Sequence, residues 1–190
     1  MALRRGFKAE AERIAQEMRG ELCLRLDDPL DSFKLAKHLE IPVYGLRQLR
    51  RFSSNPIFIS LFAGAEQESF SAMTVFVDMR RLIIHNETHA ITRQASNLAH
   101  EVSHCLLEHA PSPISSSGCR TWQSDIEDEA SWLGAALLVP REGALRLAVK
   151  GLDIPAIAAK FCVSEPLCRW RVAQTGVVSQ LQRRQRYSSD

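Results

Sequence analysis

The chain has 190 residues, 45% of them apolar and 24% charged, with a formal net charge of +2. That is enough apolar material for a substantial core in one domain, which excludes wholesale disorder, and the charge lies too near balance to call for nucleic acid or a membrane surface as partner. Five cysteines, Cys23, Cys105, Cys119, Cys162 and Cys168, are odd in number and form no CxxC pair, which argues for reduced thiols and against a secreted disulfide scaffold.

The opening stretch, MALRRGFKAEAERIAQEM, has no apolar core of signal-peptide length. No run approaches the roughly 18–20 apolar residues of a membrane span, so a soluble, cytoplasmic protein is expected. From Lys8 to Leu22, apolar residues at Ala11, Ile14, Ala15, Met18 and Leu22 fall at helical spacing and predict a first helix. Asp31 or Ser32 then caps a short helix carrying Leu35, Ala36 and Leu39, which Pro42 stops.

The middle of the chain changes character. NPIFISLF, SAMTVFV and RRLIIHN are short runs rich in β-branched and aromatic residues, and Asp78–Arg81 reads as a turn between the last two. These predict a small, mostly antiparallel sheet with at least one hairpin. Helical patterning returns from Arg93 and holds to the end, broken by the loop Ala110–Gly118. Helices, then strands, then helices indicate an α+β fold.

Within the first of these later helices, LAHEVSHCLLEH places His100 and His104 four residues apart, with Glu101 directly after the first. Such residues are offset by about 40° on a helix, so two imidazoles project side by side and can chelate one cation. Glu101 lies about 100° around from His100, beside the metal face, where a general base for a metal-bound water would stand. The bland reading is an amphipathic helix that carries histidines. Small and apolar residues on both sides of the motif mark the helix as buried, and burying these three polar groups without partners is costly.

A catalytic zinc needs a third protein ligand. CLLEHAPSPI lacks the glycine and third histidine of the metzincin pattern. The next helix, SDIEDEASWLGAALLVP, supplies the alternatives Glu127 and Glu129, which sit about 200° apart on a helical wheel. Glu127 heads a stripe of small residues, Ala130, Ser131 and Gly134, along which two helices can approach closely. Glu129 leads toward Trp132 and Leu133. The stripe selects Glu127. Ser124 and Glu127 also spell a capping box, which needs no metal.

Taken together, LAHEVSHCLLEH, the acidic run Glu127-Asp128-Glu129-Ala130 and the exit Leu137-Leu138-Val139-Pro140 resemble the ImmA/IrrE metallopeptidases. The likeness extends outward to RRGFKAEAERIA, DPLDSFKLAKHLEIPV and IAAKFCVSEPLCRWRV, and so covers nearly the whole chain. It implies a zincin-like fold and one zinc ion held by His100, His104 and Glu127, with Glu101 as general base. It also implies limited cleavage of a protein substrate, characteristically a helix-turn-helix transcriptional repressor of a mobile element or stress regulon. Ser103 stands where a glycine often precedes the second histidine; chelation does not need that glycine. Two histidines and a carboxylate suit zinc, without separating it from manganese. His85, His89 and His109 are candidate donors to the oxyanion, each with a surface or supporting role as the plainer reading.

Residues 1–150 are therefore expected to form the peptidase domain, 151–178 a helical pair packed on it, and 179–190 a flexible tail. In the pair, Ser164 caps the second helix, Pro166 enters its first turn, and Arg169 and Arg171 are expected to be exposed. A helix-turn-helix reader of DNA is the alternative function, in which the metal site is structural or inactive. The near-balanced charge argues against direct DNA binding. Cys105 is expected to turn from the metal face toward the core as a structural thiol.

Overall fold

The computed structural model describes residues 3–48, 70–77, 80–110, 124–177 and 179–180. Helix α1 spans Phe7–Glu21, one residue ahead of the predicted limits at each end, and buries Phe7, Ala11, Ala15 and Met18. Gly6 precedes it at φ 86, a left-handed conformation that glycine adopts without a Cβ penalty. Helix α2 spans Ser32–His38. The Asp31 side chain accepts from the amides of Phe33 (2.9 Å) and Lys34 (3.2 Å), which resolves the choice of cap in favour of Asp31.

Strands β1 (Val43–Gly45), β2 (Ala72–Val77) and β3 (Arg80–His85) form a sheet of order β1-β3-β2. The predicted hairpin is present: β2 and β3 pair antiparallel from Ala72 opposite His85 to Val77 opposite Arg80. Strand β1 pairs parallel to β3, with Val43 opposite Ile83. The sequence pattern does not reveal it, because three residues just past Pro42 are too few to show a period of two. The predicted strand in NPIFISLF lies outside the described residues, as do all but the first residue of the loop Ala110–Gly118 and the whole tail from 181.

Helices α3 (Ile91–Leu106) and α4 (Ser124–Leu138) form the central pair. Leu98, Ala99 and Val102 of α3 meet a face of α4 that buries Ala130, Leu133, Gly134 and Leu137. Helices α5 (Arg141–Val149), α6 (Ile154–Phe161) and α7 (Glu165–Gln174) follow. The α6–α7 joint matches its prediction: Cys162 takes a left-handed φ of 56 and the Ser164 hydroxyl accepts from the Leu167 amide. The Trp132 and Trp170 rings meet edge to face with centroids 5.5 Å apart, joining α7 to α4.

Arg171 corrects an expectation. It is fully buried, not exposed: its guanidinium pairs with Glu12 of α1 and its Nε donates to the Val139 carbonyl at 3.1 Å. Arg19, equally buried, donates from Nη2 to the carbonyls of Leu137 (2.9 Å) and Leu138 (3.2 Å). The last carbonyls of a helix have no partner within it, and here two arginines supply them for α4. Burial pulls the Arg19 guanidinium down to about 10, which leaves it charged at neutral pH. Among the described residues, no helix is long and apolar enough to cross a membrane.

Candidate metal centre

His100 and His104 share one face of α3, and α4 brings Glu127 to them. The ring atoms His100 Nε2 and His104 Nε2 stand 3.1 Å apart, and Glu127 Oε2 lies 3.1 Å from the first and 3.5 Å from the second. Three donors at tetrahedral corners, each about 2.0–2.1 Å from a zinc ion, would be about 3.3–3.4 Å from one another. The triangle is therefore the right size for one ion, and among the described residues these three form a group that could hold one.

The protonation states suit ligation as well. Burial, reinforced by the neighbouring His100, pulls the His104 pKa down, although Glu127 opposes the shift. Glu127 is held below the usual carboxylate range by its bond to His100, against desolvation. A neutral imidazole at His104 and an ionised carboxylate at Glu127 are forms that a divalent cation binds.

The close approach of α3 and α4 depends on the small-residue stripe. A Cβ added to Gly134 would meet the His100 amide nitrogen at 3.1 Å and the Ala99 carbonyl carbon at 3.2 Å. Ser131, one turn beyond Glu127, sets its hydroxyl 3.3 Å from His100 Nδ1. The alternative capping role for Glu127 has no hydrogen bond to support it: the Ser124 hydroxyl donates to Asp125 Oδ1 at 3.3 Å, and the Glu127 carboxylate turns to the histidines. Glu129 faces elsewhere, with Oε1 accepting from Arg4 Nε at 2.9 Å and Oε2 lying 3.7 Å from His109 Nε2.

Glu101 accepts a hydrogen bond of 2.7 Å from the Thr74 hydroxyl of β2, so the hairpin fixes the carboxylate that follows the first histidine. Nothing in the sequence marks Thr74, since its role depends on how β2 packs across α3. Ser131 was legible as part of the stripe, but not as a partner of His100. Ser103 is buried and donates to the Ala99 carbonyl at 2.7 Å, which satisfies its hydroxyl in place of the missing glycine. Cys105 is half-buried, and burial raises its thiol pKa.

The three other candidate histidines take different places. His85 is buried with its ring edge-on to Phe33 at 5.2 Å, and His89 Nε2 lies 3.3 Å from the Asn86 amide nitrogen. His109 Nδ1 lies 2.9 Å from His104 Nδ1, the ring nitrogen opposite the one that meets Glu127. His109 thus reaches the triangle from behind, through His104, whereas the His85–Phe33 and His89–Asn86 contacts lie elsewhere.

A model of the Peptidase_M78 family, the IrrE N-terminal-like domain, matches residues 57–171, more than half of the chain. The matched span contains both histidines, Glu101 and Glu127. Among curated proteins and solved structures, none matches.

Proposed function

This chain belongs to the IrrE N-terminal-like peptidase family, and from that premise we propose that it is a zinc-dependent endopeptidase making limited cuts in a regulatory protein of the cytoplasm. The substrate we propose is a helix-turn-helix transcriptional repressor. One observation carries the reading: two imidazole nitrogens and a carboxylate oxygen converge to within 3.1–3.5 Å, and the glutamate after the first histidine is held by Thr74.

In this reading His100, His104 and Glu127 hold the cation. Bound zinc would acidify a water and polarise the scissile carbonyl. Glu101 takes the proton from the attacking water and later delivers it to the leaving amine. The Thr74 hydroxyl keeps one carboxylate oxygen of Glu101 occupied, which leaves the other for the proton. The packing of α3 on α4 sets the spacing of the donors before substrate arrives, so that little reorganisation accompanies the reaction.

The alternative, a DNA-associated module reading bases through Arg169 and Arg171, loses half of its contact pair to the core, because Arg171 is buried against Glu12 and Val139. The test is incubation of the zinc-loaded chain with a helix-turn-helix repressor encoded beside it, read by mass spectrometry. Discrete fragments that vanish with chelator and with Glu101→Gln support the proposal. An intact repressor, with the same outcome for other regulators from the same cell, argues against it.

A further inference from the structure

We infer that His109, Glu129 and Arg4 form a positioning chain that fixes the tautomer and orientation of His104, and so ties the segment ahead of α1 to the metal centre. The inference rests on the metal-binding reading above and assigns roles to three residues that this reading leaves unused.

His104 presents its two ring nitrogens to different partners. Nε2 faces His100 Nε2 at 3.1 Å and Glu127 Oε2 at 3.5 Å, while Nδ1 lies 2.9 Å from His109 Nδ1. Two imidazole nitrogens in contact share one hydrogen, so one ring donates and the other accepts. If Nε2 of His104 is to offer its lone pair to a cation, the ring hydrogen must sit on Nδ1, and His109 Nδ1 must accept it. The hydrogen of His109 is then on its Nε2, the nitrogen that faces Glu129 Oε2 at 3.7 Å.

The carboxylate decides between the two arrangements. The reverse assignment would point a lone pair of His109 at an anion and place the hydrogen of His104 on the nitrogen needed for ligation. Glu129 is anchored in turn by Arg4, whose Nε donates to Oε1 at 2.9 Å. The side chains of His109 and Glu129 are only 10% and 12% exposed, so solvent competes little for the contact between them. Arg4 also pairs with Glu10 at 3.0 Å, which steadies it at the foot of α1.

The chain also accounts for both glutamates of the acidic run. Two residues apart on a helix they cannot share a face: Glu127 meets the histidine triangle, and Glu129 meets the histidine behind it. His100, by contrast, has the Ser131 hydroxyl at 3.3 Å on its second nitrogen, with no histidine or carboxylate there among the described residues. Arg4 lies outside the residues matched by the family model, 57–171, so the N-terminal segment reaches the centre from beyond the matched span.

The test is zinc affinity of the full chain by competition with a chelating dye, with visible absorption of the cobalt-loaded protein as a report on ligand geometry. Partners of this kind typically contribute about 10–100-fold to metal affinity. His109→Ala is expected to weaken zinc within that range and to shift the cobalt bands. His109→Asn, whose amide oxygen can accept from His104 Nδ1, is expected to recover most of the loss. Glu129→Ala should weaken zinc less, and the His109→Ala/Glu129→Ala double variant no more than His109→Ala alone, because both act through one contact. Wild-type affinity and an unshifted cobalt spectrum in His109→Ala would overturn the chain. So would additive losses in the double variant, or equal losses in His109→Ala and His109→Asn. A wild-type chain that binds no zinc would instead overturn the metal-binding reading itself.

Discussion

Gly134 of α4 lies against the backbone of His100 in α3, so close that a Cβ there would stand 3.1 Å from the His100 amide nitrogen and 3.2 Å from its Cα. Both obstacles are main-chain atoms, which cannot swing aside as a flexible side chain would. Gly134→Ala is therefore expected to wedge the two helices apart. Overpacking of this kind costs about 1–3 kcal/mol, and it should also move Glu127 from the histidines. Urea unfolding would read the first effect and zinc titration the second. Wild-type values in both would show that α3 and α4 have room the structure does not indicate.

The Arg171–Glu12 pair gives a prediction about stability alone. Removing one partner of a buried ion pair leaves the other charge uncompensated, at about 3–5 kcal/mol. Arg171→Ala also strips the Val139 carbonyl of its donor. Denaturant unfolding is expected to show a loss of that size. Arg169→Ala, a change at an exposed position, should stay within about 0.5 kcal/mol of wild type.

The metal-free protein should lose stability in mild acid. His104 and His109 are both lowered from the ordinary histidine value by burial, so the unfolded chain binds more protons than the folded one. Their contribution is complete above a pH of about 6.5, the unfolded value, and fades as pH falls below it. Glu127, lowered chiefly by its bond to His100, acts in the same direction at still lower pH. The midpoint of thermal unfolding is expected to change little above about pH 6.5 and to fall from there to about pH 5, with a shallower slope in His104→Asn. A midpoint that rises over this range would contradict the burial of these rings.

Glu101→Gln keeps the shape of the side chain and the acceptor for Thr74, but cannot take a proton. Cleavage is expected to fall by at least about 10²–10⁴-fold, the usual contribution of a positioned base. Zinc content and unfolding midpoint should be unchanged. Residual cleavage near the wild-type rate would place the base elsewhere.

Much of the site was legible because it depends on helical periodicity. The four-residue spacing of His100 and His104 needs only the helix to be a helix. The stripe Glu127, Ala130, Ser131, Gly134 carries its own argument for close packing. The longer elements were legible for the same reason. What escaped depends on contacts between distant segments. The pattern of α7 taken alone puts Arg171 on an exposed face, whereas its partners Glu12 and Val139 lie on α1 and at the exit of α4. Arg19 falls on the buried face of α1, four residues after Ala15, and a charge in that position was a signal that a buried acceptor waited for it. Thr74 and Arg4 left no such trace.

The central claim is tested most directly by metal content per chain after zinc reconstitution, for wild type, Glu127→Ala and Glu129→Ala. The account predicts about one zinc in wild type, as a three-ligand centre requires. It predicts loss of that zinc in Glu127→Ala, and about one zinc in Glu129→Ala once zinc is saturating, held more weakly. A wild-type chain without zinc, or zinc lost through Glu129→Ala and kept in Glu127→Ala, would contradict it.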